Sequence, residues 1–222
     1  MRHFSMIEKQ AAERKGGADA LATLLSLPLN GEKLQAIPDD RWLSAMSKCI
    51  FQAGFNWQVI ERKWPRFEQV FEGFDLHRWA MMSDDDLDRL LKTEGIVANA
   101  AKIRAVGANA AFLLELATKY GSVAAYFRNW KQAEYCNNLR QLQKSGSRLG
   151  GRTGQTFLRR MGVDTLVFSP DVLKALKREG VVDKMPSSKA DFIALQAAID
   201  RWSGESGRPL TQISQILAFS VD

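Results

Sequence analysis

Apolar side chains recur at intervals of three and four residues along almost the whole chain, and this spacing limits the fold more than any other feature. Between Asn99 and Tyr120, one stripe carries the apolar residues Ile103, Val106, Ala110, Leu113 and Ala117. Residues 39–51 and 192–202 follow the same pattern, which is typical of amphipathic helices. Only residues 165–168 resemble a strand, and a single short strand has no partner with which to form a sheet. The sequence therefore predicts an all-α fold.

Two helix starts are also recognisable from local chemistry. Ser83 precedes the acidic run Asp84–Asp86, and Ser169 precedes Pro170. A serine before an acidic first turn, or before a proline at the first helical position, is typical of a helix N-cap. We therefore predict that helices begin directly after Ser83 and Ser169.

Length and composition exclude several classes of protein. The chain has 222 residues, of which 45% are hydrophobic and 25% are charged, as expected for a globular domain rather than a disordered segment. It has no apolar run of about 18 residues and no secretory h-region near its start. Cys49, Cys136, His3 and His77 have no metal-ligand spacing, and two cysteines cannot form a disulfide framework. We expect a cytoplasmic, monomeric protein with no metal, no cofactor and no membrane partner.

The net charge of +6 comes from one segment. Residues 139–163 contain six basic residues and no acidic one: Arg140, Lys144, Arg148, Arg152, Arg159 and Arg160. Removing these six from the 31 basic residues leaves 25, which equals the number of acidic residues. A localised basic segment of this kind indicates an acidic partner, most commonly nucleic-acid phosphate.

The basic segment has the pattern of a helix, a glycine turn and a second helix. Glycines let the backbone approach a bound group closely, and the start of a helix presents free N–H groups to an anion. The predicted phosphate contacts are Arg148, Gly150, Gly151, Arg152, Thr153 and Gly154. The alternative is an ordinary helical hairpin with a solvated basic face, and the absence of acidic residues favours DNA.

Several linked motifs carry a family resemblance. The segment QAGFNW at Gln52–Trp57 resembles the "QAGLSW" segment of the DNA-3-methyladenine glycosylase I family. Residues 64–74 are similar to the stretch that follows it in that family. Residues 95–110 resemble the family's "GI-RN--KI-A---NA" signature, with Ala98 in place of the arginine. The resemblance covers about residues 40–180, in the family's order.

A wider resemblance concerns the glycine hairpin and Asp171. A glycine-rich hairpin, a helix and then an aspartate that opens the next helix resemble the helix-hairpin-helix superfamily of DNA glycosylases. The resemblance implies two helical lobes with a helix-hairpin-helix DNA-binding element and a cleft between the lobes. It implies one glycosylase-like domain over residues 1–222, with N-terminal helices in 1–35, a lobe with the QAGFNW segment in 36–135, the hairpin and Asp171 in 136–185, and C-terminal helices in 186–222.

The resemblance also implies an activity. We expect hydrolysis of the N-glycosidic bond of an alkylated purine, such as 3-methyladenine, in damaged double-stranded DNA during base excision repair. Asp171 takes the place of the superfamily's catalytic aspartate, although an acid in a first helical turn also suits the helix dipole. No lysine lies between the hairpin and Asp171, where lyase-type relatives carry their amine. We therefore predict a monofunctional enzyme.

The resemblance assigns the base pocket to the QAGFNW segment and the residues near it. Trp57 would stack on the flipped base, Phe55 would fill the gap in the duplex, and Gln52 and Cys49 would line the pocket. The alternatives are a core tryptophan, a core phenylalanine and a small apolar core cysteine. Lys102 is expected on the outer face of the long helix, near DNA or merely solvated.

The chain also departs from the family. The glutamate that better-known members carry three residues before the QAG triplet is Cys49 here. Their zinc-binding cysteines and histidines and their N-terminal tyrosine-bearing segment are also missing, so lesion preference does not transfer. Two rival hypotheses therefore stay open: a non-catalytic DNA-binding protein that kept the hairpin, and a glycosylase for a different lesion.

Overall fold

A computed structural model describes residues 1–221 of the chain. Within them the backbone forms fourteen α-helices and two short 3-10 helices, with no β-strand, so the all-α prediction is confirmed. The α-helices are α1 (Phe4–Lys15), α2 (Ala18–Leu24), α3 (Gly31–Gln35), α4 (Asp39–Gln52), α5 (Trp57–Val70), α6 (Leu76–Ala80), α7 (Asp84–Lys92), α8 (Ala100–Tyr120), α9 (Val123–Arg128), α10 (Tyr135–Ser145), α11 (Thr153–Arg160), α12 (Pro170–Arg178), α13 (Lys189–Ser206) and α14 (Leu210–Phe219). The 3-10 helices are Glu72–Phe74 and Gln132–Glu134. None of the helices in this described part is both long and apolar enough to span a membrane.

The predicted helix starts at Ser83 and Ser169 are confirmed. The Ser83 hydroxyl accepts a hydrogen bond from the backbone N–H of Asp86, whose carboxylate in turn accepts from the backbone N–H of Ser83. Ser169 accepts from the backbone N–H of Val172 at 3.2 Å, with Pro170 at the first helical position. These bonds satisfy donors that the first turn of a helix leaves without partners.

The helices form two compact units, each discontinuous in sequence. Unit 1 comprises residues 1–29, 130–140 and 162–222, and unit 2 comprises residues 30–129 and 141–161. The division of the chain into four functional segments therefore stays a prediction.

Unit 1 is built on α1, α12, α13 and α14. Phe4 of α1 lies 6.1 Å from Trp202 of α13, measured between ring centroids, and both side chains are fully buried. Leu195 and Ile213 are also fully buried and extend this apolar interior. Burial of large apolar side chains is the main source of stability for such a unit.

Unit 2 is built around α8, which packs against α4, α6 and α9. Its interior is rich in aromatic rings. Trp42 stacks on Phe127 with ring centroids 4.8 Å apart, and Phe157 meets Phe127 edge-on at 5.7 Å. Aromatic pairs at these separations contribute more than the area they bury, and here they anchor α4, α9 and α11 to one another.

A buried carboxylate ties the start of the chain to α12 within unit 1. Glu179 is 3% exposed, and its carboxylate accepts hydrogen bonds from Arg2 Nη2 at 2.6 Å and from Arg178 Nε at 2.8 Å. Burial alone would raise the pKa of Glu179, but the hydrogen bonds from both arginines lower that pKa to about 2. A folded-state pKa below the unfolded value means that this carboxylate stabilises the fold at neutral pH.

We predict that Glu179→Gln lowers the free energy of unfolding by about 1.5–3 kcal/mol at pH 7, the range for hydrogen bonds to charged groups. The difference from wild type should vanish as the pH falls from the ordinary glutamate range towards 2, because wild-type Glu179 then becomes protonated. Urea unfolding at several pH values measures this. Glu13→Gln, at an exposed helical pair with Lys9, is the matched control and should change stability by less than about 0.5 kcal/mol. Equal effects of the two substitutions at pH 7 would contradict the assignment.

Candidate functional site

The turn between α4 and α5 presents two aromatic side chains to solvent. Gly54 adopts a φ of +69°, a conformation that glycine reaches without strain, and the Phe55 N–H donates to the Gln52 carbonyl at 3.0 Å. Asn56 then caps α5 by accepting from the Gln58 N–H at 2.9 Å. Phe55 is 46% exposed and Trp57 is 49% exposed. The alternative interpretation of both as core residues is therefore wrong.

Lys102 lies in the interior of unit 2, and its predicted place on the outer face of α8 is wrong. Its side chain is 7% exposed, and Nζ donates to the carbonyl oxygens of Phe51 at 2.9 Å and Ala53 at 2.8 Å. The ammonium also lies 5.7 Å from the centre of the Phe55 ring. Burial, and then the nearby charge of Arg148, lower the pKa of Lys102. The lysine therefore supports the turn between α4 and α5 from the interior of unit 2, and it is not available to DNA phosphate.

The hairpin between α10 and α11 closes around Leu149, which is fully buried. The Gly154 N–H donates to the Leu149 carbonyl at 3.2 Å, and a Cβ at Gly154 would lie 2.7 Å from that oxygen. The Thr153 N–H donates to the Gly150 carbonyl at 3.3 Å. Gly154 is buried and its amide is already used, so the predicted contact of Gly154 with phosphate is wrong. The glycine is required because the hairpin closes tightly there.

The free amides lie at the tip of the hairpin instead of at the start of α11. The backbone N–H groups of Gly150, Gly151 and Arg152 donate to no backbone acceptor in residues 1–221, and all three residues are exposed. Arg148 is also exposed and has a φ of +59°, which is uncommon for a residue with a side chain. Successive free backbone amides of this kind are a common feature of anion-binding sites in proteins.

Asn109 holds this hairpin in place and was missed by the sequence analysis as a functional residue. It is fully buried on α8, where its Nδ2 donates to the Ser147 carbonyl at 3.0 Å. The Ser147 N–H donates back to Asn109 Oδ1 at 2.8 Å. The signal available in the sequence was an asparagine on an otherwise apolar stripe, since a buried amide requires partners.

A small cavity opens beside Trp57. Its volume is about 160 Å³, and it is lined by Cys49, Gln52, Ala53, Gly54, Trp57, Arg152, Thr153 and Thr156. That volume is about half the lower end of the range for drug-sized ligands, which suits a single heterocyclic base better than a whole nucleoside. Burial raises the pKa of the Cys49 thiol to about 11, so this wall of the cavity is uncharged at neutral pH.

Arg160 is a further site residue that the sequence analysis did not single out. Its guanidinium lies 5.0 Å from the centre of the Trp57 ring, and Nη1 lies 3.5 Å from Cys49 Sγ. One face of α11 carries three residues at helical spacing, namely Thr153, Thr156 and Arg160. This spacing within the basic segment was the signal that could have identified Arg160.

Asp171, the predicted catalytic residue, belongs to unit 1, whereas every other predicted site residue belongs to unit 2. Its side chain is 50% exposed, and its carboxylate lies 3.7 Å from Lys174 Nζ on the next turn of α12. It follows Pro170 in the first turn, as an acid that suits the helix dipole would. Its catalytic role stays a prediction. In residues 1–221, no group of three or more His, Cys, Asp or Glu side chains is placed to hold a metal ion.

Comparison of the sequence with known proteins gives a family match over half of the chain. The family model for methyladenine glycosylases matches residues 37–150. Among curated proteins, DNA-3-methyladenine glycosylase 1 of Escherichia coli K12 is 32% identical over 65 residues, which are 29% of this chain and 35% of that protein. The match thus spans about a third of the curated relative's length.

Comparison of the structure gives helical neighbours that share the fold. A 3-methyladenine DNA glycosylase I from Staphylococcus aureus has a TM-score of 0.52 at 21% identity, covering 63% of this chain and 80% of that one. The 8-oxoguanine DNA glycosylase of Thermotoga maritima has a TM-score of 0.56 at 15% identity, covering 97% and 95%. The 8-oxoguanine glycosylase/lyase of Methanocaldococcus jannaschii, solved with a DNA 15mer, has a TM-score of 0.52 at 14% identity, covering 96% of both chains.

We predict that Lys102→Met lowers the free energy of unfolding by about 1–3 kcal/mol, because two carbonyl groups lose their charged donor. Amide hydrogen exchange should rise most in the turn that carries Phe55. Arg104→Met, at an exposed position on the same helix, is the matched control and should have an effect below about 0.5 kcal/mol. Unchanged exchange in that turn for Lys102→Met would contradict the supporting role.

Proposed function

The chain belongs to the methyladenine glycosylase family, and on that premise we propose that it is a DNA glycosylase that removes alkylated purines such as 3-methyladenine from double-stranded DNA. It hydrolyses the N-glycosidic bond as a step of base excision repair. It acts in the cytoplasm as a monomer. The observation that carries the proposal is the base-sized cavity beside the exposed Trp57, in the segment that resembles the family's QAGLSW motif.

The geometry of the turn supports extraction of a base from the duplex. An enzyme that acts on a stacked base rotates the nucleotide out and fills the gap that it leaves. Phe55 is exposed on a turn stiffened by Lys102, so it can enter the gap without a large rearrangement. Trp57 offers an aromatic face on which a base can stack.

The hairpin supports binding of the DNA backbone. The free amides of Gly150, Gly151 and Arg152 and the side chain of Arg148 are donors suited to phosphate oxygens. Such contacts carry no sequence information, as a repair enzyme that searches for damage requires. Asn109 keeps the hairpin rigid, which reduces the entropy lost on binding.

Asp171 is our proposed stabiliser of the sugar. Loss of an alkylated base leaves an oxocarbenium-like sugar, and a carboxylate lowers the energy of that cation and orients the attacking water. The positive charge of an N3-alkylated adenine makes it a good leaving group, so little general-acid help is required. No lysine lies between the hairpin and Asp171, so the reaction ends with base release and leaves the DNA strand intact.

One observation favours the rival hypothesis of a different lesion. The side chain at position 49 is a neutral thiol, and the cationic Arg160 lies beside it. A cavity wall with this charge attracts a cationic base less than a carboxylate would. A non-catalytic DNA-binding protein is the second rival.

We predict that the protein releases free 3-methyladenine from alkylated duplex DNA. Trp57→Ala should slow release about 5- to 150-fold, because stacking of a base on an aromatic ring is worth about 1–3 kcal/mol. Asp171→Asn should slow it on the order of 100-fold or more, as expected on removal of a charge that stabilises the transition state. Mass spectrometry of the released bases, from DNA carrying a panel of lesions, is the measurement.

Matched controls separate these effects from loss of folding. Tyr120→Ala removes another exposed aromatic side chain of unit 2, and Asp85→Asn removes another first-turn carboxylate, so both should keep wild-type rates. Normal rates in Trp57→Ala and Asp171→Asn would refute the assigned site. Binding of DNA without release of any base would establish the non-catalytic DNA-binding protein. Release of non-methyl lesions alone would establish a glycosylase for a different lesion.

We also predict that Arg148→Glu combined with Arg152→Glu weakens duplex binding by at least tenfold at low salt. The slope of log affinity against log salt concentration should become shallower by about 2, because two phosphate contacts are lost. Fluorescence anisotropy at several salt concentrations measures both quantities. Lys92→Glu, a charge reversal in the last turn of α7, should leave the slope unchanged. A double variant with wild-type slope would show that the hairpin does not bind phosphate.

A further inference from the structure

One residue in the wall of the cavity has a buried hydrogen-bond acceptor that lacks a partner among residues 1–221. Gln52 is 1% exposed and lines the cavity beside Trp57. Its Oε1 accepts no hydrogen bond from any residue in the described range 1–221. Leaving a buried acceptor unpaired costs about 1–3 kcal/mol, so a polar atom in this position indicates a role in binding.

The orientation of the Gln52 amide is set by Glu61. The Gln52 Nε2 donates to Glu61 Oε1 at 2.8 Å. An ionised carboxylate only accepts hydrogen bonds, so a reversed amide would place two acceptors against each other. The carboxamide is thus held with Nε2 towards Glu61, and the Oε1 atom is left as the free acceptor.

Two cations keep Glu61 ionised. Lys48 Nζ lies 2.6 Å from Glu61 Oε2. The hydrogen bond from Lys48, against the opposing effect of burial, lowers the pKa of Glu61, and Gln52 and Arg160 contribute in the same direction. Glu61 stands one helical turn after Trp57 on α5, so the residue that orients the acceptor and the residue that can stack on the base share one helix face.

We propose that Glu61 determines which base the cavity accepts, by orienting the Oε1 of Gln52 towards an exocyclic amino group. An amino-purine donates an N–H to this acceptor, whereas an oxo-purine presents a carbonyl oxygen that Oε1 repels. The inference rests on the proposed function of the cavity as a base pocket. Glu61 is a positioning residue, since it acts on the base through Gln52.

Two other polar groups in the cavity wall make this distinction less well. The Cys49 thiol is a weak donor and acceptor. The Thr156 hydroxyl donates to the Arg152 carbonyl at 3.0 Å, and a hydroxyl can rotate to serve either kind of base. A carboxamide with a locked orientation is therefore more selective than either the Cys49 thiol or the Thr156 hydroxyl.

The test is equilibrium binding of two free bases to the full-length protein, namely 3-methyladenine and 3-methylhypoxanthine. They differ in an amino group against a carbonyl oxygen at one position. Wild type should bind the amino base at least tenfold more tightly. In Glu61→Leu the amide is free to turn, and the ratio of the two dissociation constants should fall to within threefold. Isothermal titration or equilibrium dialysis gives both constants.

Two further variants test whether the base preference depends on the hydrogen bond between Glu61 and Gln52. Lys48→Met removes the ion pair but leaves the bond between Glu61 and Gln52, so the ratio should stay at least fivefold. Glu61→Gln keeps an acceptor next to Gln52 and should retain more of the preference than Glu61→Leu. Because Glu61 is half exposed, these variants should fold, and circular dichroism checks this.

Each outcome bears on the inference. A ratio that is equal in wild type and Glu61→Leu overturns it, and so does the absence of wild-type binding to either base. Free-base binding requires no hydrolysis. A protein that discriminates between the bases but releases none from alkylated DNA would refute the proposed enzyme activity and support the role of Glu61.

Discussion

The site in unit 2 depends on a buried ammonium group. The carbonyl groups at the end of a helix have no donors within that helix. At the end of α4, Lys102 on α8 donates to the carbonyl oxygens of Phe51 and Ala53. Asn109 lies two turns further along the same face of α8, about 10 Å away along its axis, and holds the hairpin at Ser147. One helix therefore sets the distance between the aromatic turn and the glycine hairpin.

The groups around the cavity carry a net positive charge, because Arg152 lines it and Arg160 lies beside Trp57. Glu61 is neutralised by Lys48, Cys49 is an uncharged thiol, and Arg160 lies over one face of Trp57. In the proposed function, the basic hairpin binds the phosphate backbone, while the pocket would recognise its ligand by shape and directed hydrogen bonds. This division is physically reasonable, since phosphate attraction acts over several ångströms and is insensitive to the base.

The helices and several of their starts could be predicted from the sequence, because spacing and capping are local. The errors concern residues whose role depends on distant neighbours. The sequence predicts Lys102 on an outer face, since nothing near it in sequence reveals that the end of α4 packs against it. Gly154 seemed free for phosphate, but the closing of the hairpin on Leu149 uses its amide. The helical spacing in the sequence did indicate that Arg160 lies on the same face of α11 as the cavity residues Thr153 and Thr156.

The replacement of the family's glutamate by Cys49 alters the kind of recognition that the pocket can perform. A carboxylate in the wall would attract any cationic base, whatever its hydrogen-bonding edge, because Coulomb attraction has little directionality. Here the nearby carboxylate belongs to Glu61, which contacts the cavity residue Gln52. Glu61 therefore affects the cavity only by orienting the Gln52 amide. A neutral amide attracts a cationic base less than a carboxylate does, but it requires a hydrogen-bond donor in one direction. The loss of charge at position 49 is therefore compatible with an enzyme whose selectivity rests on the direction of one hydrogen bond.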